Sequence, residues 1–223
     1  MDKNTTQAFP RNIFSNKVSL FKFIITIFHV VGLLGMAMPL LRPYFQFLTP
    51  FHLLLCTGLL FYFHKNWNLA FFLFIFLAFG LGYGSEVMGV QTGFPFGNYV
   101  YGPVLGFRLF EVPLLIGVNW LLLVYVSGEI FHRRISNDYL AAAAGATIMV
   151  MLDILIEPVA VKLDFWDWKD GIIPVSNFVG WFFVAFFIQL VYRKLSFIKS
   201  NPLSLYLLIN LAAFFTLLNI LLE

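Results

Sequence analysis

The chain has 223 residues, of which 61% are hydrophobic and 11% charged, and carries a formal net charge of +3. Its mean hydropathy of +0.87 is higher than a soluble globular domain needs, and its apolar runs reach about 20 residues, the length at which a helix crosses a ~30 Å hydrocarbon core. A soluble fold is thereby excluded, a β-barrel is disfavoured because alternating strand patterns are missing, and the basic residues flank apolar runs, where they set topology and do not imply nucleic acid. The predicted fold is an all-α, polytopic membrane helix bundle with the lipid bilayer as its surroundings.

Residues 1–16 are polar and are expected to form a loose N-terminus; residues 17–223 are read as one transmembrane domain. The first helix is predicted over 18–41, stopping at Arg42-Pro43, and the second over 47–63, stopping at His64-Lys65-Asn66. The third covers 68–90. A Gly/Pro/aromatic segment follows at 91–108, too rich in turn formers to span lipid and too aromatic for an ordinary wet loop, so it is expected to re-enter or to lie over the bundle mouth. The fourth helix covers 109–131, with Pro113 in its first turn. Asp138 is the expected N-cap of the fifth, 139–161. A Trp/Asp-rich loop spans 162–174, then come the sixth helix, 175–195, and the seventh, 202–222.

Placing the N-terminus in the cytoplasm puts ten Lys and Arg residues inside and four (Arg42, Arg108, Lys162, Lys169) outside, as the positive-inside rule favours. The expected location is the cell (inner) membrane, multi-pass. No small-x-small site follows the first apolar run, so a cleaved leader is not expected. The single cysteine, Cys56, excludes an internal disulfide and argues against a cysteine-based metal site.

Charges at membrane depth are costly and point to a partner or a task. Asp153 and Glu157 stand four residues apart in one helix and share a face. In low dielectric both cannot ionise cheaply, so at least one is expected to hold a proton near neutral pH, as a general acid requires. The simpler alternative puts Glu157 in water at a helix end and Asp153 in a hydrogen bond to a neighbouring helix. Glu86 lies in Gly82-Tyr83-Gly84-Ser85-Glu86, where small residues allow close helix approach. Glu111 precedes Val112-Pro113, where a carboxylate suits a helix N-terminus. With N inside, Glu86, Glu111, Asp153, Glu157, Asp164, Asp167 and Asp170 fall at one end of the bundle.

Tyr99, Tyr101, Trp166, Trp168 and Trp181 belong to that same end, either as interfacial anchors or as walls of a pocket whose π-faces stabilise a cation. Asn119, Trp120 and Asn177 bring two amides and an indole inside or at the edge of helices, and each needs a hydrogen-bond partner, from helix packing or bound water. His29 sits inside the first helix, most simply as an interhelical contact. No metal is expected, because no His/Asp/Glu spacing resembles a ligand set. No cofactor is expected either: a phosphate-cradling loop, a dinucleotide fingerprint and a Gly-x-Ser-x-Gly elbow are all missing from the sequence.

Glu86-x-x-Gly89-x-x-Thr92-Gly93-x-Pro95-Phe96-Gly97-x-Tyr99-x-Tyr101, with Val112-Pro113, Trp120, Asp153, Pro158, Trp166-x-Trp168 and Pro174-x-x-Asn177-x-x-Gly180-Trp181, resembles the membrane family of carotenoid biosynthesis proteins. That family includes carotenoid 1,2-hydratases of the bisanhydrobacterioruberin and γ-carotene type. The resemblance covers roughly residues 82–193. The family pattern has glycine where Glu111 stands and aspartate where Glu157 precedes Pro158.

The resemblance implies a cofactor-independent hydro-lyase that adds water, as co-substrate, across the terminal C1=C2 bond of an acyclic, lycopene- or γ-carotene-like end group. Glu86 or Asp153 would protonate C2, while the other, with Glu157 or Asn177, would orient water and take the proton back. Tyr99, Tyr101, Trp120, Trp166, Trp168, Asn177 and Trp181 would line the substrate site. Asp153→Asn and Glu86→Gln would then lose most hydration, and Arg193→Ala little. The long apolar carotenoid would arrive sideways from lipid, with other enzymes of the carotenoid pathway as partners. Two alternatives stay open: an end-group cyclase using the same protonation, and a transporter with an intramembrane carboxylate relay.

Overall fold

The computed structural model describes residues 13–222. Seven helices occupy α1 (Ile13–Ala37), α2 (Arg42–Tyr62), α3 (Leu69–Thr92), α4 (Leu114–His132), α5 (Asp138–Lys162), α6 (Val175–Lys194) and α7 (Ser204–Leu221). All seven are long and apolar enough to cross a membrane. The expected loose N-terminus lies outside the described residues except at its last four positions, which are helical in α1.

Helix ends follow local chemistry. The first helix stops four residues earlier than predicted, and after a turn at residues 38–41 α2 begins at Arg42, ahead of the expected 47, because Pro43 fits a first turn. Arg42 Nε, donating to Met36 O at 2.9 Å, closes the junction. Asn68 caps α3 by accepting from Phe71 N at 2.9 Å. The cap of α5 is Asn137, not Asp138; its side chain accepts from Tyr139 N and Leu140 N at 2.9 and 3.1 Å. Asp138 instead binds Arg193 and Lys194 of α6 at 2.8 and 2.6 Å.

The centre of the bundle is α4, buried without interruption from Trp120 to Gly128. Helices α3, α5, α6 and α7 pack around it, and α5 pairs most extensively with α6. Helices α1 and α2 lie outside, and large apolar side chains such as Phe23, Leu34, Phe47 and Phe51 face outward. In water such a surface would drive aggregation; in lipid it is the expected finish.

The loops at one end carry the remaining structure. Strand β1 (Tyr99–Tyr101) pairs antiparallel with β4 (Trp166–Trp168), with Tyr99 opposite Trp168 and Tyr101 opposite Trp166. Bonds from Lys169 N to Asn98 O (2.9 Å) and from Gly102 N to Phe165 O (2.8 Å) extend the ladder at both ends. Its period of two turns Tyr99, Tyr101 and Trp168 inward while Val100 and Asp167 face out. The segment predicted to lie over the mouth is therefore a strand zipped to a second loop 65 residues away. A smaller hairpin, β2 (Arg108–Leu109) and β3 (Val112–Pro113), precedes α4.

Candidate active site

Three carboxyl groups meet beneath that loop pair. Glu86 comes from the last turns of α3, and Asp153 and Glu157 from the buried stripe of α5 that also holds Met149, Leu152, Ile156 and Ala160. Their exposures are 3%, 1% and 2%. Both recorded ion pairs among the described residues belong to Asp138 at the opposite end, so these acids have no cationic partner there.

Each acid is held by neutral donors. Glu86 Oε2 accepts from the hydroxyls of Tyr99 (2.5 Å) and Tyr101 (2.8 Å), and Oε1 accepts from Trp120 Nε1 (2.9 Å). Glu157 Oε2 accepts from Trp166 Nε1 (2.9 Å) and Trp168 Nε1 (2.7 Å), and Oε1 accepts from Asn177 Nδ2 (3.0 Å). The same Asn177 nitrogen donates to Asp153 Oδ2 at 2.8 Å. Asp153 Oδ1 is buried without a partner. Burial, followed by the adjacent Glu86 carboxyl, pushes the Tyr99 and Tyr101 hydroxyls well above the ordinary phenol range, so both remain donors.

Geometry at the backbone makes this possible. Gly82 stands one turn before Glu86 with its missing side chain against Trp120, and Gly89 faces Phe96 and the Tyr99 hydroxyl, where a Cβ would sit 2.7 and 2.8 Å away. Trp120 stacks on Trp181 at 4.2 Å between ring centres.

Two cavities adjoin. The smaller, about 20 Å³, is lined by Glu86, Tyr99, Tyr101, Glu157, Trp166, Trp168, Asn177 and Trp181 together with Ile116 and Asn119. That is room for about one water molecule. The larger, about 370 Å³, is almost wholly apolar and shares Ile116, Asn119 and Trp166 with the smaller. Its walls come from α1, α2, α4, α5 and α7, and Phe28, Val31, Leu48 and Phe51 line it while also facing the outside. Its volume falls within the ~300–1,000 Å³ usual for ligand sites.

Of the residues singled out in the sequence, Glu86, Glu157, Tyr99, Tyr101, Trp166, Trp168, Asn177 and Trp181 meet in the small chamber. Asp153 and Trp120 stand behind it, joined to it through Asn177 and Glu86. Glu111 is not in the first turn of a helix. It occupies the β2–β3 turn, exposed, with φ +67°, the left-handed region that glycine adopts most easily. Asp164, Asp167 and Asp170 are exposed as well. Sequence spacing missed one cluster: His29, His52 and Cys56, on α1 and α2, have ligand atoms within 4.8 Å of one another on the wall of the large cavity.

The sequence profile described as carotenoid biosynthesis protein matches residues 45–223. The chain belongs to that family. A curated relative, bisanhydrobacterioruberin hydratase of Haloarcula japonica, is 30% identical over 112 residues, a match covering 44% of this chain and 36% of that protein. The chain thus spans about a third of the length of that relative. No solved structure matches. As a carotenoid biosynthesis protein the chain acts in carotenoid metabolism, and the seven apolar helices of the described residues make it a multi-pass membrane protein. The family profile covers every residue of the acid chamber but begins after α1, so His29 lies outside it.

Proposed function

We propose that this carotenoid biosynthesis protein is a hydratase that adds water to the terminal C1=C2 double bond of an acyclic carotenoid end group. The observation that carries this reading is the pairing of a one-water chamber, walled by Glu86 and Glu157, with an apolar cavity open toward lipid. A long polyene would pass between α1 and α2 into the large cavity and bring its end group to Asn119 and Trp166. The named hydratase relative supports the same reaction class.

Three buried carboxyl groups without a cation cannot all be ionised, because an unpaired charge in low dielectric costs several kcal/mol or more. Their partners distinguish them. The indole N–H groups on Glu157 can only donate, so they suit its carboxylate. The hydroxyls on Glu86 can donate or accept, so Glu86 Oε2 can carry a proton without losing them. Asp153 Oδ1 has no donor to displace and can also hold one.

Glu86 then transfers its proton to C2, leaving a tertiary cation at C1. Charge develops on a carboxyl already faced by Tyr99, Tyr101 and Trp120, so the transition state is favoured over the ground state. The π-faces of Trp166 and Trp181 lie close to the cation. The chamber water attacks C1 and gives its proton to Glu157, and a following water returns that proton to Glu86, so the net addition is one H2O. Glu86 and Glu157 are the catalytic residues; Asp153 acts through Asn177 as a positioning residue.

Ring closure would use the same first step, but the cation would then be captured by an alkene of a folded end group and not by the water for which the small chamber has room. Membranes containing the protein, supplied with lycopene, test the choice. A product heavier by one water is expected; an isomer of unchanged mass, or no turnover of lycopene and γ-carotene alike, overturns the hydratase reading.

A further inference from the structure

His29, His52 and Cys56 form a second polar group on the wall of the large cavity, remote in sequence from the acid residues and unused by the hydration chemistry. His52 and Cys56 are four residues apart on α2 and share a face. Their Nε2 and Sγ atoms are 3.6 Å apart. Ligand atoms at the usual distances from one metal, about 2.0–2.1 Å for nitrogen and about 2.3 Å for sulfur, stand about 3.6 Å apart at a tetrahedral angle and about 3.8 Å at the trigonal angle of a three-ligand site.

His29 supplies the independent observation. Its Nδ1 lies 2.8 Å from Ile25 O. A carbonyl only accepts, so Nδ1 carries the proton and Nε2 keeps its lone pair. That Nε2 is buried without a partner in a residue 4% exposed. A backbone carbonyl that fixes the tautomer and aims the other nitrogen is the arrangement found behind metal-bound histidines. Its ring is 4.7 Å from that of His52, edge to face.

We propose that His29 Nε2, His52 Nε2 and Cys56 Sγ bind a single Cu⁺ ion beside the large cavity. A thiolate with imidazoles is a soft set that selects Cu⁺ or Zn²⁺ over harder ions. Charge separates these two. One thiolate and two neutral imidazoles make a Cu⁺ site neutral overall, whereas Zn²⁺ leaves a net positive charge among Phe28, Phe214 and Leu53, where an unpaired charge is costly. Binding replaces the Cys56 thiol proton, which leaves to solvent, so the balance is Cu⁺ in and H⁺ out. No redox step is involved. The ligand atoms are at most 4.8 Å apart, and small ring rotations close that spacing onto the metal.

The site rests on α1–α2 geometry and stands whether or not the hydratase reading does. The test uses the full chain, purified in detergent under reducing, oxygen-free conditions and titrated with Cu⁺ against a competing Cu⁺ chelator, with parallel Zn²⁺ and Co²⁺ titrations. One Cu⁺ per chain is expected, with a sulfur-to-copper absorption band in the near ultraviolet. Cys56→Ala, a small buried replacement, should abolish the band. It should also weaken binding by more than the about 10–100-fold that losing an outer partner costs; His29→Phe should weaken binding likewise. Unchanged elution and helix content establish that these variants fold. Three results overturn the proposal: no retained copper in the unaltered chain, equal retention in Cys56→Ala, or preference for Zn²⁺ or Co²⁺ over Cu⁺.

Discussion

Trp120 Nε1 donates to Glu86 Oε1 at 2.9 Å across the α3–α4 contact, at the level where Gly82 leaves room for the indole. The acid is thus placed by a glycine one turn away. Gly82→Ala would push a Cβ into Trp120. Overpacking of this kind costs about 1–3 kcal/mol. The expected outcome is a lower melting temperature in detergent together with reduced carotenoid turnover, since Trp120 must move away from Glu86.

If Glu86 is the proton donor, Glu86→Gln removes the transferable proton, and turnover should fall about 10²–10⁴-fold, the usual contribution of a positioned acid. Tyr99→Phe and Tyr101→Phe remove one of the donors facing the developing charge and should fall less far. Product mass spectrometry on membranes with matched protein levels measures all three. Equal turnover in Glu86→Gln would remove it from the reaction.

Asp153 and Glu157 should respond differently to the same chemical change. Asp153→Asn keeps an acceptor for Asn177 and replaces a neutral acid by a neutral amide, so an effect below about tenfold is expected. Glu157→Gln leaves Trp166 and Trp168 without their anion and should cost far more. The sequence alone suggested a large effect at Asp153; its unpartnered oxygen and its place behind Asn177 favour the smaller one. Turnover of the two variants side by side decides between them.

At the other end, Arg193 ties α6 to the start of α5 through Asp138 and donates to the carbonyls of His132 and Ile135 at 2.8 and 3.2 Å. Arg193→Ala should lower thermal stability, because these half-buried carbonyls lose their donor and Asp138 loses a cationic partner. Turnover per folded molecule should stay at the unaltered level, which a paired melting and activity measurement would show.

Lys199, between α6 and α7, is 6% exposed, and burial followed by Arg193 lowers its ammonium to about 8 from 10.5. In that window the unfolded chain holds a proton that the folded chain has released. Stability should therefore rise with pH from about 8 to 10.5. Lys199→Met should flatten this rise in melting curves recorded across the range.

The helices were legible because each is an apolar run of membrane length, and lipid admits little else. Their ends were less so: Asn137 and Asp138 are both good caps, and only the pull of Arg193 and Lys194 on Asp138 separates them. The carboxyl groups stood out as rare charges in an apolar chain, yet Glu111 looked equal to Glu86 until the backbone put it in an exposed hairpin turn. Tyr99, Tyr101, Trp166 and Trp168 read as pocket walls; what their spacing concealed is that they also donate to the acids.

By itself the sequence determined a seven-helix membrane protein of carotenoid biosynthesis and the end of the bundle where its acids gather, since hydropathy and residue type are local properties. Tertiary structure decided the rest: which acid faces the chamber, which stands behind an amide, that β1 zips to β4, and that two helices bring His29 to His52 and Cys56. These are contacts between segments far apart in the chain, set by side-chain packing and hydrogen-bond direction, which no run of residues encodes in its own order.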